Sequence, residues 1–235
     1  MNNITYFITV HNLESLNYFL NYKNNNDILK DVNFKYICGV NPKRTNIFNQ
    51  SIVPIISSYD ESLYSQNNNI LRQHSTYMYI LKNIDKIETD FISIEGCTTV
   101  RLERDKFNHI NNDTIYTTIR KSEYIKIPSN KDKEKLKLFF HSCYNIDKLE
   151  NYFFLFDYLI FNKKIASDLY DFFKENIDIL LKSKPYNRIF LPEYFDACLY
   201  YKYKNSVYKD KFKVDNLHFK FNCFDRKIPG LHYYG

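Results

Sequence analysis

Three β-rich runs separated by helical stretches fill the first half of the chain, and that alternation constrains the fold more than any other feature. Ile4 to Val10 is built of branched and aromatic residues and ends at His11-Asn12. Leu13, Leu16 and Leu20 follow at helical spacing. Phe34 to Val40 reads as a second strand, stopped by Asn41-Pro42. Ser51 to Ile56 is short, apolar and interrupted by Pro54, which suits an edge strand or extended linker better than a central strand. Asn69 to Ile84 reads as a helix, with Ile70, Tyr77, Ile80, Leu81 and Ile84 available for one face, and Phe91 to Ile94 as another buried strand. A β-helix-β-helix-β order predicts a mostly parallel, layered sheet, because parallel neighbours need crossover connections. Ligands of such sheets collect at the carboxyl ends of the strands. His11, Asn41 and Glu95 each fall just past such an end, so a binding site is expected there.

The second half is mixed. Thr114 to Ile127 is polar and β-branched and suits one or two exposed strands. Ser129 and Asp132 fit a helix start for Lys131 to Tyr144. Tyr152 to Phe161 is apolar enough to require burial, broken only by Asp157. Ile165 to Leu181 reads as a helix, and Pro192 opens another at the favoured first position, running to about Tyr203. The tail is aromatic and basic without clear periodicity, and no linker, repeat or boundary divides the chain. We expect one α/β domain over residues 1–235.

Of the 235 residues, 44% are hydrophobic and 18% aromatic, enough for a sizeable core and against disorder. The net charge of +6 invites a polyanionic partner. Yet the lysines alternate with acids, as in Lys131-Asp132-Lys133-Glu134-Lys135, and Arg, the better reader of phosphate and bases, is scarce. A solvated face with weak attraction to anionic substrates or an anionic membrane surface is expected, and no nucleic acid. Cys38, Cys97, Cys143, Cys198 and Cys223 form no CxxC or Cys/His cluster, which argues against zinc and against a secreted disulfide scaffold. Most of them sit in apolar or aromatic surroundings and read as small buried hydrophobes. Met1 to Thr5 carries no basic, then apolar, leader, and no apolar run has transmembrane length. A cytoplasmic protein is expected.

Three segments carry a family resemblance. The first is Asn67-Asn68-Asn69-Ile70-Leu71-Arg72 with Tyr77, Tyr79, Leu81, Lys82 and Asn83. The second is the strand Asp90-Phe91-Ile92-Ser93-Ile94. The third is Phe156-Asp157-Tyr158-Leu159-Ile160-Phe161-Asn162-Lys163-Lys164, with Arg188-Ile189-Phe190-Leu191-Pro192-Glu193 downstream. Over roughly residues 65–204 the chain resembles the capsular-polysaccharide-type glycosyltransferase-like family, long catalogued as a domain of unknown function. It departs from the family in having Glu95-Gly96-Cys97-Thr98-Thr99 where a His-Tyr-Arg-Arg run is usual. Asp157 stands for the usual Asn, and Tyr194-Phe195 follow Glu193 in place of Arg-Leu.

The resemblance implies a GT-A-like layered α/β/α domain with a mostly parallel central sheet and a mixed C-terminal half. A nucleotide-binding half (1–105) would precede an acceptor-binding half (106–235). The implied reaction moves a sugar from a nucleotide-sugar donor to a glycan hydroxyl. Such chemistry needs a cradle for base and ribose, neutralisation of the leaving diphosphate, and a carboxylate base if the transfer inverts.

Each candidate has a functional and a structural reading. Thr9, His11 and Asn12 are donor-binding candidates or a polar turn capping the next helix. Arg72 leads Arg101 and Arg104 as diphosphate partner, each against an exposed salt-bridged Arg. Asn83 is carried by the resemblance as a donor-side residue. Glu95 is a donor contact, a Mn²⁺ or Mg²⁺ ligand with His232 as helper, or a structural group; one carboxylate makes a poor site for either ion. Asp157, a carboxylate among apolar neighbours, is the acceptor-binding candidate or a buried structural hydrogen bond. Glu193, in the first turn of its helix, is the candidate catalytic base, with Asp196 one turn later as substitute. The positive helix end favours an acid there without any catalytic role. Two other readings remain: a basic, aromatic nucleic-acid-binding module using Tyr200-Tyr201-Lys202-Tyr203-Lys204, and an inactive glycosyltransferase-like scaffold.

Overall fold

β1 (Ile4–Thr9) lies between β2 (Asn33–Cys38) and β4 (Phe91–Gly96), parallel to both. Its central residues Thr5 to Ile8 are all buried, as a strand covered on both faces requires. The structure, a computed structural model, describes residues 4–29, 32–61, 73–96, 110–121, 131–183 and 192–216. β3 (Ile55–Ser57) pairs in parallel with β2 and ends that side of the sheet, right after Pro54, which fits the edge placement expected for it.

Beyond β4 the direction changes. β6 (Tyr152–Asn162) runs antiparallel to β4 and to β5 (Thr114–Lys121), and β7 (Lys213–Asn216) runs parallel to β5. One sheet of seven strands results, in the order β3-β2-β1-β4-β6-β5-β7. The α/β class with a mostly parallel sheet and a mixed second half is the fold observed. The exposed strand expected at Thr114 needs correction: Thr114 to Thr117 are buried. The aperiodic tail supplies β7 along the outer edge of β5, starting at the Lys213–Thr114 pair.

Helices cover both faces. α1 (Leu13–Asn24) buries Leu16, Phe19 and Leu20 against Tyr6, Ile8 and Tyr36, with the short α2 (Pro42–Thr45) and α3 (Ile47–Gln50) nearby in sequence and Ile47 in the same cluster. The opposite face carries α4 (Gln73–Lys82), α5 (Lys131–Tyr144), α6 (Ala166–Lys182) and α7 (Pro192–Lys204) over Phe7, Ile37, Ile92, Ile94, Leu159 and Phe161. α6 buries Ala166, Leu169, Phe172, Phe173, Asn176 and Leu180, the one-sided stripe of a helix laid on a core. Phe172 is fully buried against Tyr203, Tyr208 and Phe212, so truncating it to Ala costs about 3–5 kcal/mol. Cys38 and Cys198 are buried as expected, whereas Cys143 is exposed; Cys97 and Cys223 lie outside the described residues. Among the described residues, no helix is long and apolar enough to cross a membrane.

Candidate functional site

The chain leaves β1 toward β2 through α1 on one face, then returns to β4, on the other side of β1, through α4 on the opposite face. The carboxyl ends of β1 and β4 therefore form a topological switch point, where sheets of this kind open a crevice. Ile8 pairs with Glu95 and Thr9 with Gly96, so both strands end at one level. The Thr9 hydroxyl donates to the Glu95 carbonyl at 3.0 Å and ties the two ends together.

Several polar residues expected at this edge serve the backbone. Asn12 Oδ1 accepts the Ser15 amide at 2.8 Å, which makes Asn12 the cap of α1. Asn41 Oδ1 accepts from the Lys43 amide at 3.0 Å while its Nδ2 donates to the Tyr59 hydroxyl at 3.2 Å. His11 is different: it stands exposed just past β1, and desolvation by neighbouring atoms lowers its pKa. A neutral imidazole offers one donor and one acceptor to a ligand.

Glu95 is fully buried, and the alternation of β4 turns it to the α1 face beside Ile8, where the Ser93 hydroxyl donates to Oε1 at 2.7 Å. A hydrogen-bonded partner is what a buried carboxyl requires. Among the described residues, no group of three or more His, Cys, Asp or Glu could hold a metal ion. Mg²⁺ and Mn²⁺ want several oxygen ligands, so Glu95 with its Ser93 partner does not by itself make a site for either ion. His232, Arg72, Arg101 and Arg104 lie outside the described residues.

α4 lies antiparallel to β4, with its first turn at the carboxyl edge and its last turn at the other. Gly39, just past β2, meets that first turn closely: a Cβ there would stand 2.7 Å from Ser75 Oγ, 3.2 Å from Thr76 Oγ1 and 3.3 Å from Ser58 Oγ. Ser58 and Thr76 are themselves 3.3 Å apart. Asn83, by contrast, follows the last turn, donating to the Tyr79 carbonyl at 2.8 Å and accepting from Lys86 Nζ at 2.8 Å. It sits at the amino end of β4, away from the other candidates. Gly39, Ser58, His74, Ser75 and Thr76 were not singled out from the sequence. A glycine at a strand end, in a chain with only four, was the available signal.

The second half brings two further candidates to the same edge. The β5–β6 register pairs Thr117 with Leu159 but Thr118 with Leu155, so Phe156, Asp157 and Tyr158 form a bulge in β6. Bulges bend a strand and redirect its residues, and they recur beside functional sites. The last β4–β6 pair is Ile94 with Leu159, which sets Tyr158 and Asp157 level with Glu95 and Gly96. Asp157 thus stands in the strand next to Glu95 at the switch point.

Glu193 occupies the first turn of α7. Three residues later, Asp196 is buried, with Oδ1 3.5 Å from His74 Nε2, and His74 belongs to the first turn of α4. That contact sets the α7 first turn against the carboxyl-edge end of α4. Burial, reinforced by the Asp196 charge, pushes the Cys198 thiol pKa up, so it is no nucleophile near neutral pH.

No protein family matches the chain at the level of sequence, and no characterised protein does either. Among solved structures it is similar in outline to core-mannan synthase A from Aspergillus fumigatus in an Mn/GDP form, at 9% identity and TM-score 0.44, over 92% of this chain and 73% of that one. The galactosyltransferase LgtC, in complex with donor and acceptor sugar analogs, is similar at 13% identity and TM-score 0.42, over 85% and 70%. The apo glycosyltransferase GlyE of Streptococcus pneumoniae is similar at 13% identity and TM-score 0.41; the match takes in 92% of this chain and 45% of GlyE.

Proposed function

We propose that the chain is a glycosyltransferase that moves a sugar from a nucleotide-sugar donor to a hydroxyl of a glycan acceptor. The observation that carries this reading is the switch point between β1 and β4, the position where layered α/β sheets bind nucleotides.

In this reading the donor lies across the carboxyl ends of β1 and β4, with His11 as the neutral hydrogen-bonding contact. Thr9 and Asn12 shape the floor through the backbone they hold. Arg72, immediately before α4 in sequence, supplies positive charge to the leaving diphosphate. Asp157, on the β6 bulge, takes an acceptor hydroxyl. The bond between the anomeric carbon and the phosphate oxygen breaks while the acceptor oxygen bonds to that carbon. In an inverting transfer the hydroxyl proton goes to the Glu193 carboxylate and the nucleoside diphosphate leaves. Asp196, buried against His74, serves the helix turn in this scheme, and Glu193 alone acts as base.

The nucleic-acid reading has less to draw on. Tyr203 is buried, stacks on Phe212 and donates its hydroxyl to the Phe212 carbonyl at 2.8 Å, so it is unavailable to stack on bases.

Two variants test the proposal. Glu193→Gln should slow transfer by about 10²-fold or more while nucleotide affinity stays nearly unchanged, the mark of a lost general base. Asp157→Asn, which installs the family's usual residue, should be the milder change. Full activity in Glu193→Gln would move the base elsewhere.

A further inference from the structure

Three consecutive residues at the start of α7 each touch a histidine from another helix. The Tyr194 hydroxyl is hydrogen-bonded to His141 Nε2 on α5, and the two rings lie nearly parallel, 15° apart in plane. Phe195 packs edge-on against the His74 ring of α4, with centroids 5.2 Å apart at 88°. Asp196 Oδ1 faces His74 Nε2 at 3.5 Å, both side chains being almost wholly buried. Phe140 and Tyr144 of α5 close around Phe195.

An aromatic and aliphatic layer would bury this turn without any polar group. A buried carboxyl beside a buried imidazole carries a desolvation penalty that apolar side chains avoid, so the pair is a poor choice for stability alone. What the hydrogen bond between His141 and Tyr194 adds is a fixed rotation and height for the turn, because it is lost if the helix slides or rolls, and the 3.5 Å approach of Asp196 to His74 adds a less directional electrostatic contact. α5 and α4 constrain the turn from two elements, and Glu193 lies one residue before the first of these contacts.

We propose that His141 and His74 are positioning residues that fix the first turn of α7, and with it Glu193, at the carboxyl edge of the sheet. This rests on the reading of Glu193 as the acceptor's base. Neither histidine touches substrate in this scheme. His141 orients the turn through Tyr194, and His74 through Asp196 and Phe195.

The test compares the full chain with His141→Ala, His141→Gln, His74→Ala and His74→Asn. Turnover, nucleoside-diphosphate affinity and amide hydrogen exchange of residues 193–197 are each measured. A base shifted by about an ångström loses rate on a scale of about 10²-fold. His141→Ala should therefore lower kcat steeply with nucleotide affinity unchanged, and exchange should quicken in the first turn of α7 alone. His141→Gln, which can still hydrogen-bond to Tyr194, should recover most of the rate. His74→Asn stands in for His74→Ala if the smaller side chain prevents folding. Unchanged kcat in His141→Ala, a parallel loss of nucleotide affinity, or no rescue by Gln would each overturn the proposal. If the unmodified chain transfers no sugar, the transfer reading fails by itself. The exchange measurement then decides the histidine grip: quickening confined to the α7 first turn supports it, and unchanged exchange overturns it.

Discussion

Replacing Gly39 with Ala probes how tightly α4 closes on the carboxyl edge of the sheet. The added methyl would stand 2.7 Å from Ser75 Oγ, against 3.4 Å or more for ordinary van der Waals contact, and 3.2 Å and 3.3 Å from Thr76 and Ser58. Either the α4 first turn retreats by several tenths of an ångström or Ser75 changes rotamer within a buried site. Ser58, Ser75 and Thr76 are all at most 6% exposed, so no neighbour can move freely into solvent. Overpacking of this kind costs about 1–3 kcal/mol. For a chain of this length that lowers Tm by about 2–4 °C per kcal/mol. The Ser75→Ala change removes the nearest atom and leaves the two milder contacts. The double variant should thus be more stable than the sum of the two single losses predicts, with a coupling of about 0.5 kcal/mol or more. Urea unfolding of the four proteins, followed by circular dichroism, measures the cycle. A Gly39→Ala protein as stable as the parent, or strictly additive losses, would refute this packing of α4 on β2.

Two further outcomes are expected. Because Glu95 is the one carboxylate described at the end of β4 and it accepts from Ser93, transfer should persist in EDTA. Abolition by EDTA with recovery on Mn²⁺ would show that a metal is needed after all. Desolvation by neighbouring atoms lowers the pKa of His11 and of His141, the latter aided by Lys137 and opposed by Asp147. The folded state then favours neutral imidazoles, so their contribution is complete above the unfolded value of 6.5. It is lost as pH falls through the lowered folded values. A His11→Gln, His141→Gln protein should lose less stability between about pH 7.5 and about pH 5, a span of about two and a half units around the unfolded imidazole pKa, than the parent. Equal losses in urea unfolding would contradict that.

The parallel half of the sheet was legible because β1 and β4 are buried along most of their length and the β-branched runs of β1 and β2 stop sharply at His11-Asn12 and Asn41-Pro42. α5, α6 and α7 were legible to within a residue or two from their apolar stripes and from Pro192. β7 was not, since a four-residue edge strand, Lys213 to Asn216, carries alternating charge and buries little. Its position explains why the β-branched run at Thr114 is interior. At the site, the sequence left Asn12 open between a ligand contact and a helix cap and offered Asn41 as a ligand-edge residue, and the Ser15 and Lys43 amides show both side chains capping helices. The bulge that sets Asp157 at the edge is a register effect between β5 and β6, which no single segment encodes. The His74–Asp196 contact joins residues more than a hundred positions apart, and spacing rules do not reach that far.

The most direct test of nucleotide-sugar binding at the β1–β4 switch point is a thermal-shift series on the full chain and on His11→Ala. Nucleoside diphosphates, nucleotide sugars and oligonucleotides are compared at matched ionic strength. A ligand at about a hundred times its Kd adds about 2.7 kcal/mol to the folded state. Stabilisation by a nucleoside diphosphate and its sugar conjugate, much reduced in His11→Ala, is the predicted result. Stabilisation by oligonucleotides alone, or by nucleotides equally in both proteins, would contradict it.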